Sequence, residues 1–194
     1  MASVAVFGGS FNPPHVAHVL ACVLARKTGG VDRVLVVPTY RHAFAKALAP
    51  YERRLAMCEL AMGDLPGVEI SRAEEELGGE SRTLRLLDHL ARARPDDTFR
   101  LLVGADILLE THKWHRWSDV VALAPPLVLG RSGVVHPEAP PPVLPEVSST
   151  TIRELLEARG GGPRDPRLEA LVPRDVLAYA EQHALYTETV EPLP

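Results

Sequence analysis

The residues best suited to chemistry lie in two short runs near opposite ends of the chain. The first is Gly8-Gly9-Ser10-Phe11-Asn12-Pro13-Pro14-His15-Val16-Ala17-His18, and the second is Val147-Ser148-Ser149-Thr150-Thr151-Ile152-Arg153-Glu154-Leu155. Adjacent glycines let a backbone approach a ligand closely. Where such a turn opens a helix, free N–H groups and the positive end of the helix dipole favour an anion. His15 and His18, three apart, share a face of that first turn and can offer two imidazoles to phosphate oxygens. Pro14 suits the helix opening, where the N–H it lacks would have no partner. In the second run, hydroxyls, free N–H groups and the Arg153 guanidinium make an anion site able to grip a triphosphate. Thr151 and Glu154 have the spacing of a capping box, so this helix is expected to begin at Thr151.

Spacing excludes several neighbouring chemistries. Neither the dinucleotide fingerprint G-x-G-x-x-G nor the P-loop G-x-x-x-x-G-K-[ST] occurs at the first turn. The histidine pair has no clustered companions that would complete a zinc site. Cys22 and Cys58 sit in apolar helical patterns without metal-ligand spacing, and read as buried small hydrophobes in a reducing compartment.

The elements that must position these runs follow from periodicity. Buried strands are expected at 3–7, 33–37, 68–70, 99–103 and 127–129, and helices at 15–27, 51–62, 81–94, 151–159 and 173–183. The Pro-rich stretch 137–145 reads as an extended connection. Alternating strands and helices predict an α/β fold, Rossmann-like and doubly wound, with a mainly parallel sheet and a small C-terminal helical portion from residue 147. The whole chain, 1–194, reads as a single domain. Ligands of such sheets gather beyond the carboxyl ends of the strands, which points to the loops after Phe7, Val37 and Val103.

The chain has 194 residues, 46% hydrophobic and 24% charged, which is globular composition and not that of a disordered chain. Its 21 Lys+Arg against 25 Asp+Glu leave a net charge of −4, which argues against a nucleic-acid partner. No apolar run approaches the ~18 residues of a membrane span. With no leader pattern at the N-terminus, a cytoplasmic protein without a membrane partner is expected. A homo-oligomer is compatible with the sequence, which does not specify one.

The first run resembles the G-[ST]-F-[DN]-P-x-H-x-x-H signature of the nucleotidyltransferase superfamily, and the second its [IV]-S-S-T-x-I-R element. The resemblance implies that Gly8, Gly9, Ser10 and Phe11 bind ATP together with Ser148, Ser149 and Thr150. It implies that His15 and His18 hold ATP phosphates and stabilise the transition state, and that Arg153 grips the β- and γ-phosphates. Gly104-Ala105-Asp106 followed by Trp114 resembles a segment of the bacterial nicotinate mononucleotide adenylyltransferases. There Gly104 and Asp106 would neighbour the nucleotides, and Trp114 would stack on the pyridine ring; packing of Trp114 and Trp117 on the sheet is the competing reading.

Further acceptor contacts are implied at Asn12, at Thr83 in the place of a P-S-Y-T stretch, and at His42 and Lys46 in the loop after the second strand. This sequence departs from the family there. Arg82 stands where the family has tyrosine, Gly79-Glu80 precedes Ser81, and the second loop lacks the family's prolines. The Tyr51–Met57 stretch resembles the family's helix with R-x-x-M spacing. The implied activity is transfer of the adenylyl group from ATP to nicotinate mononucleotide, with Mg²⁺ accompanying the ATP. The alternatives are nicotinamide mononucleotide or phosphopantetheine as acceptor, a cytidylyltransferase, a non-catalytic nucleotide sensor, and a tRNA-binding synthetase relative. Acidity and short length disfavour the last.

Overall fold

The computed structural model describes residues 1–41, 48–158 and 162–187. His42 and Lys46 lie outside them. Runs of β-branched and aliphatic residues form strands β1 (Ser3–Gly9), β2 (Arg33–Pro38), β3 (Val68–Ile70), β4 (Thr98–Gly104), β5 (Pro126–Arg131) and β6 (Pro142–Leu144). They pair in the order β3-β2-β1-β4-β5-β6, and every pairing is parallel. The expected "mainly parallel" sheet is thus parallel throughout the described residues.

Between the strands lie α1 (Val16–Thr28), α2 (Tyr51–Cys58, continued by a π turn at Glu59–Gly63), α3 (Ala73–Leu77), α4 (Thr83–Ala93) and α5 (Trp117–Leu123). The chain ends in α6 (Ser149–Glu157), α7 (Pro166–Leu171) and α8 (Arg174–Gln182).

Side chains alternate across the sheet, and both faces are covered. Val4, Val6, Leu35 and Leu101 pack under Leu84, Leu87 and Leu90 of α4 on one face. Ala5, Val34, Val36 and Leu102 pack under Ala21, Cys22 and Ala25 of α1 on the other. Both cysteines are fully buried there, as their surroundings in the sequence required. A third apolar cluster joins Ile152, Leu156, Leu168, Val176 and Leu177 to Ala17 of α1 and Met57 of α2. That contact is what carries the C-terminal helices onto the first turn.

Four local expectations are corrected. The Pro-rich stretch is not merely a connection, because residues 142–144 pair with β5 as an edge strand, where proline's missing N–H is tolerated. The approach is close: a Cβ on Gly130 would lie 2.0 Å from the Pro141 carbonyl oxygen. Helix α6 starts two residues earlier than expected, with Ser148 as its cap accepting from the Thr151 N–H at 3.1 Å. A box at Thr151–Glu154 is therefore not the cap, since those residues already lie inside the helix. Pro14 stands just outside α1, whose cap is His15. The short helices α3, α5 and α7 were not anticipated, being five to seven residues long and too short to show a helical period.

The chain runs from β1 outward to β3 and then returns to the other side of β1 with β4. The strand order therefore reverses between β1 and β4, and a crevice opens beyond their carboxyl ends. Gly8 and Gly9 end β1, and Gly104 ends β4. That juxtaposition sets the position of the site.

Candidate active site

The turn after β1 is held in an unusual shape. Phe11 adopts a left-handed backbone (φ 45°) and buries its ring to 1% exposure. A non-glycine residue there costs of order 1–3 kcal/mol, which packing of the ring offsets. The same packing favours Gly9, for a Cβ would meet the Phe11 ring at 3.1 Å. Gly8 is exposed, and nothing lies within 4 Å of where its Cβ would be. The backbone at the end of β1 is thus open to a ligand.

The two imidazoles stack, with ring centroids 3.8 Å apart. His18 is also in edge contact with the Phe11 ring. Its Nδ1 accepts a hydrogen bond from the His15 backbone N–H at 3.1 Å, so in the neutral ring the proton resides on Nε2. Burial, the neighbouring His15 and the Arg131 guanidinium hold the His18 pKa well below its ordinary value. Burial and Arg131 lower that of His15 to about 4. Both rings are therefore neutral at physiological pH, and His18 is a neutral donor through Nε2. His15 Nδ1 is buried with no hydrogen-bond partner in the unliganded protein.

The second anion-binding run docks directly on the first. Arg153 donates from Nη1 to the Asn12 carbonyl at 2.7 Å and from Nη2 to Thr150 Oγ1 at 3.2 Å. Ser149 Oγ donates to the Pro13 carbonyl at 2.8 Å. The guanidinium remains half-buried, with N–H groups left to meet a ligand.

Asn12 is 1% exposed. Its Oδ1 accepts from the Ala49 N–H at 3.0 Å and from the Tyr186 hydroxyl at 2.9 Å. Its amide oxygen is thus committed inside the protein, as a joint between the first turn, the segment just before α2 and the C-terminal segment.

At the end of β4, Asp106 follows Gly104, and its Oδ2 accepts from Arg131 Nη1 at 3.3 Å. Arg131 Nη2 donates to the Val147 carbonyl, tying the end of β5 to the start of the second run. Arg131 and Tyr186 escaped the sequence reading. Arg131 stands alone at a strand end with no motif around it. Tyr186 reaches a partner 174 residues away.

Thr83 and Trp114 lie apart from this cluster. Thr83 opens α4, and Trp114 follows a 3-10 turn (Thr111–Lys113). Trp114 packs edge-on against Trp117 at 5.3 Å, and both lean on the core face opposite α1. Among the described residues no hydrogen bond links either to the histidine pair. Trp114 is half-buried, so packing takes one part of the indole and leaves another for a ligand.

The described residues contain no group of three or more His, Cys, Asp or Glu that could hold a metal, and no helix long and apolar enough to cross a membrane.

Comparison with known proteins finds relatives along nearly the whole chain. A family model described as cytidylyltransferase-like matches residues 6–155. A probable nicotinate-nucleotide adenylyltransferase of Anaeromyxobacter sp. (strain K) is 51% identical over 187 residues, covering 94% of this chain and 96% of the relative. One from Myxococcus xanthus is 41% identical over 184 residues, covering 94% of each. The solved structure of Plasmodium falciparum nicotinic acid mononucleotide adenylyltransferase complexed with NaAD shares the fold at a TM-score of 0.80. It is 17% identical, covering 96% of this chain and 98% of that one.

Proposed function

This chain belongs to the cytidylyltransferase-like family, and from that premise we propose that it transfers the adenylyl group of ATP to nicotinate mononucleotide. The products are nicotinate adenine dinucleotide and pyrophosphate, a step of NAD biosynthesis; relatives bearing that activity in their names extend over nearly the whole chain. The observation that carries the assignment of residues is the docking of the second run on the first through Arg153 and Ser149. It gathers both anion-binding turns beside the stacked imidazoles at the reversal of strand order. The C-terminal helical part, from residue 147, belongs in this reading to the same domain as the sheet.

In the reaction an oxygen of the acceptor's 5′-phosphate forms a bond to the α-phosphorus of ATP. The bond from that phosphorus to the oxygen bridging to the β-phosphorus breaks, and pyrophosphate leaves. Such a transfer needs alignment and charge stabilisation more than covalent help. The backbone of exposed Gly8 and half-buried Gly9, with Ser10 and Phe11, receives ATP.

Neutral His18 donates from Nε2 to charge that grows on the α-phosphate, and His15 supplies a second donor. Because neither ring carries a charge, their hydrogen bonds strengthen as oxygen charge accumulates without an ion pair binding the ground state tightly. Arg153, with Ser148 and Thr150, holds the β- and γ-phosphates, and Arg131 adds positive charge from the strand side.

Mg²⁺ accompanying ATP would offset phosphate charge, and such an ion is held mainly by phosphate and water oxygens. The chain fits such a cation: Asp106, its side chain 45% exposed, can meet a water of the bound ion. Trp114 offers its open part to the pyridine ring, Thr83 lies on the same side of the sheet, and Asn12 shapes the turn between the two substrates.

The test is Mg²⁺-dependent pyrophosphate release from ATP with nicotinate mononucleotide, run beside nicotinamide mononucleotide. A strong preference for the acid is expected. Comparable rates would shift the reading to an enzyme of relaxed acceptor choice, with Arg82 as the residue to examine. No release with either would refute it.

A further inference from the structure

Arg54 is the largest fully buried side chain of the protein's described part, 1% exposed beneath the open end of the sheet. It projects from the first turn of α2 and makes three hydrogen bonds, all to backbone carbonyls. Nη1 donates to Ser10 at 2.9 Å, Nη2 to Thr39 at 2.7 Å and Nε to Ala49 at 2.9 Å. Ser10 belongs to the ATP-side turn. Thr39 and Ala49 flank the stretch of sequence that contains His42 and Lys46.

Other bonds run between the same segments. The Thr39 N–H donates to the Gly9 carbonyl at 2.9 Å, and the Ala49 N–H to Asn12 Oδ1 at 3.0 Å. Among the described residues no carboxylate is hydrogen-bonded to the guanidinium, although the buried Glu74 carboxylate acts on its charge through space. Burying a charge with no hydrogen-bonded ion partner is costly, and an apolar side chain could fill the same volume. What a guanidinium adds is a rigid planar fork that reaches several acceptors at set angles.

We propose that Arg54 is a positioning residue for the transfer: it braces the turn that receives ATP against Thr39 and Ala49, on either side of the acceptor-side stretch of sequence 42–47. The inference rests on the adenylyl-transfer reading above and adds to it a residue that touches neither substrate. Attack on phosphorus requires the two bound phosphates to be in line, and misplacement by about 1 Å can cost about 100-fold in rate. Arg54 acts on that relative placement, because its three acceptors belong to both sides at once. Loss of the brace therefore lowers turnover while leaving each substrate's own contacts in place.

The experiment compares wild type with Arg54→Lys and Arg54→Met, each measured well below its thermal midpoint, with circular dichroism giving the folded fraction. Dissociation constants for ATP and for nicotinate mononucleotide are measured separately by calorimetry, and kcat by pyrophosphate release. Arg54→Lys keeps the charge but cannot span three carbonyls. It is expected to bind each substrate within about 3-fold of wild type and to lose about 10- to 100-fold in kcat per folded molecule. Arg54→Met is expected to lose more than Arg54→Lys.

Wild-type kcat in Arg54→Lys would overturn the inference, as would a kcat loss that matches the unfolded fraction or an equal collapse of both affinities. Should Arg54→Met fail to fold, the lysine variant decides alone. Wild-type protein that releases no pyrophosphate would instead refute the adenylyl-transfer reading itself.

Discussion

The paired neutral histidines make a quantitative prediction about stability. In the unfolded chain each imidazole titrates near its ordinary value of 6.5, whereas folding lowers that of His15 to about 4 and that of His18 well below 6.5. As pH falls below about 6.5, the unfolded state takes up protons that the folded state refuses, so stability is present above that pH and is lost on acidification. A drop from neutrality to about pH 5 removes roughly 2 kcal/mol for His15, and His18 adds to the loss in the same direction.

The assay is urea unfolding of the unliganded protein at a series of pH values, beside the double variant His15→Gln/His18→Gln. Surface carboxylates lower the stability of both proteins on acidification, and Glu74, whose pKa burial raises, acts in the opposite sense in both. These contributions cancel in the difference. The wild type is expected to lose at least about 2 kcal/mol more than the variant across that window, with the loss beginning near pH 6.5. Parallel curves would refute the claim that the rings are held neutral, and with it the role of His18 as an uncharged donor.

Other expectations follow from the same geometry. His18→Ala should lower kcat by about 100- to 1,000-fold while ATP affinity changes little, as for loss of a transition-state donor; an unchanged kcat would remove it from the mechanism. Arg153→Met should weaken ATP binding and turnover together, by about 10- to 100-fold for a charge-assisted contact, and normal ATP affinity would refute the triphosphate assignment. Trp114→Ala should raise KM for the pyridine mononucleotide about 3- to 10-fold and leave that for ATP alone, if stacking is worth about 0.5–1.5 kcal/mol. Equal effects on both substrates would mean that the indole only packs. Tyr186→Phe should cost about 1 kcal/mol in unfolding experiments, since Asn12 Oδ1 keeps its bond from Ala49.

The sequence by itself determined the two anion-binding runs and the strands beneath them. Both are contiguous signals: glycines, histidines and hydroxyls at short fixed spacings, and β-branched runs such as Val34–Val37 that can only be buried. The family resemblance drew its strength from the same short stretches. Where the signal was weaker, the tertiary structure decided. Edge strand β6 is three residues long and contains proline, and only the docking of Pro142–Leu144 beside β5 makes it a strand. Ser148 rather than Thr151 caps α6, a choice among adjacent hydroxyls of similar capping preference.

Three functional roles were illegible for one common reason, that their partners are distant in the chain. Arg54 joins Ser10, Thr39 and Ala49; Arg131 meets Asp106 and Val147; Tyr186 closes on Asn12. Arg131 and Tyr186 carry no local pattern, and the R-x-x-M spacing that includes Arg54 does not name its partners, because each acts through acceptors that folding alone assembles. The charge state of the histidines belongs with them. Their spacing put two imidazoles on one helical turn, but neutrality depends on burial against Phe11 and on Arg131 from a strand more than a hundred residues away, and electrostatic energies are set by distance in space and exclusion of water, not by distance along the chain.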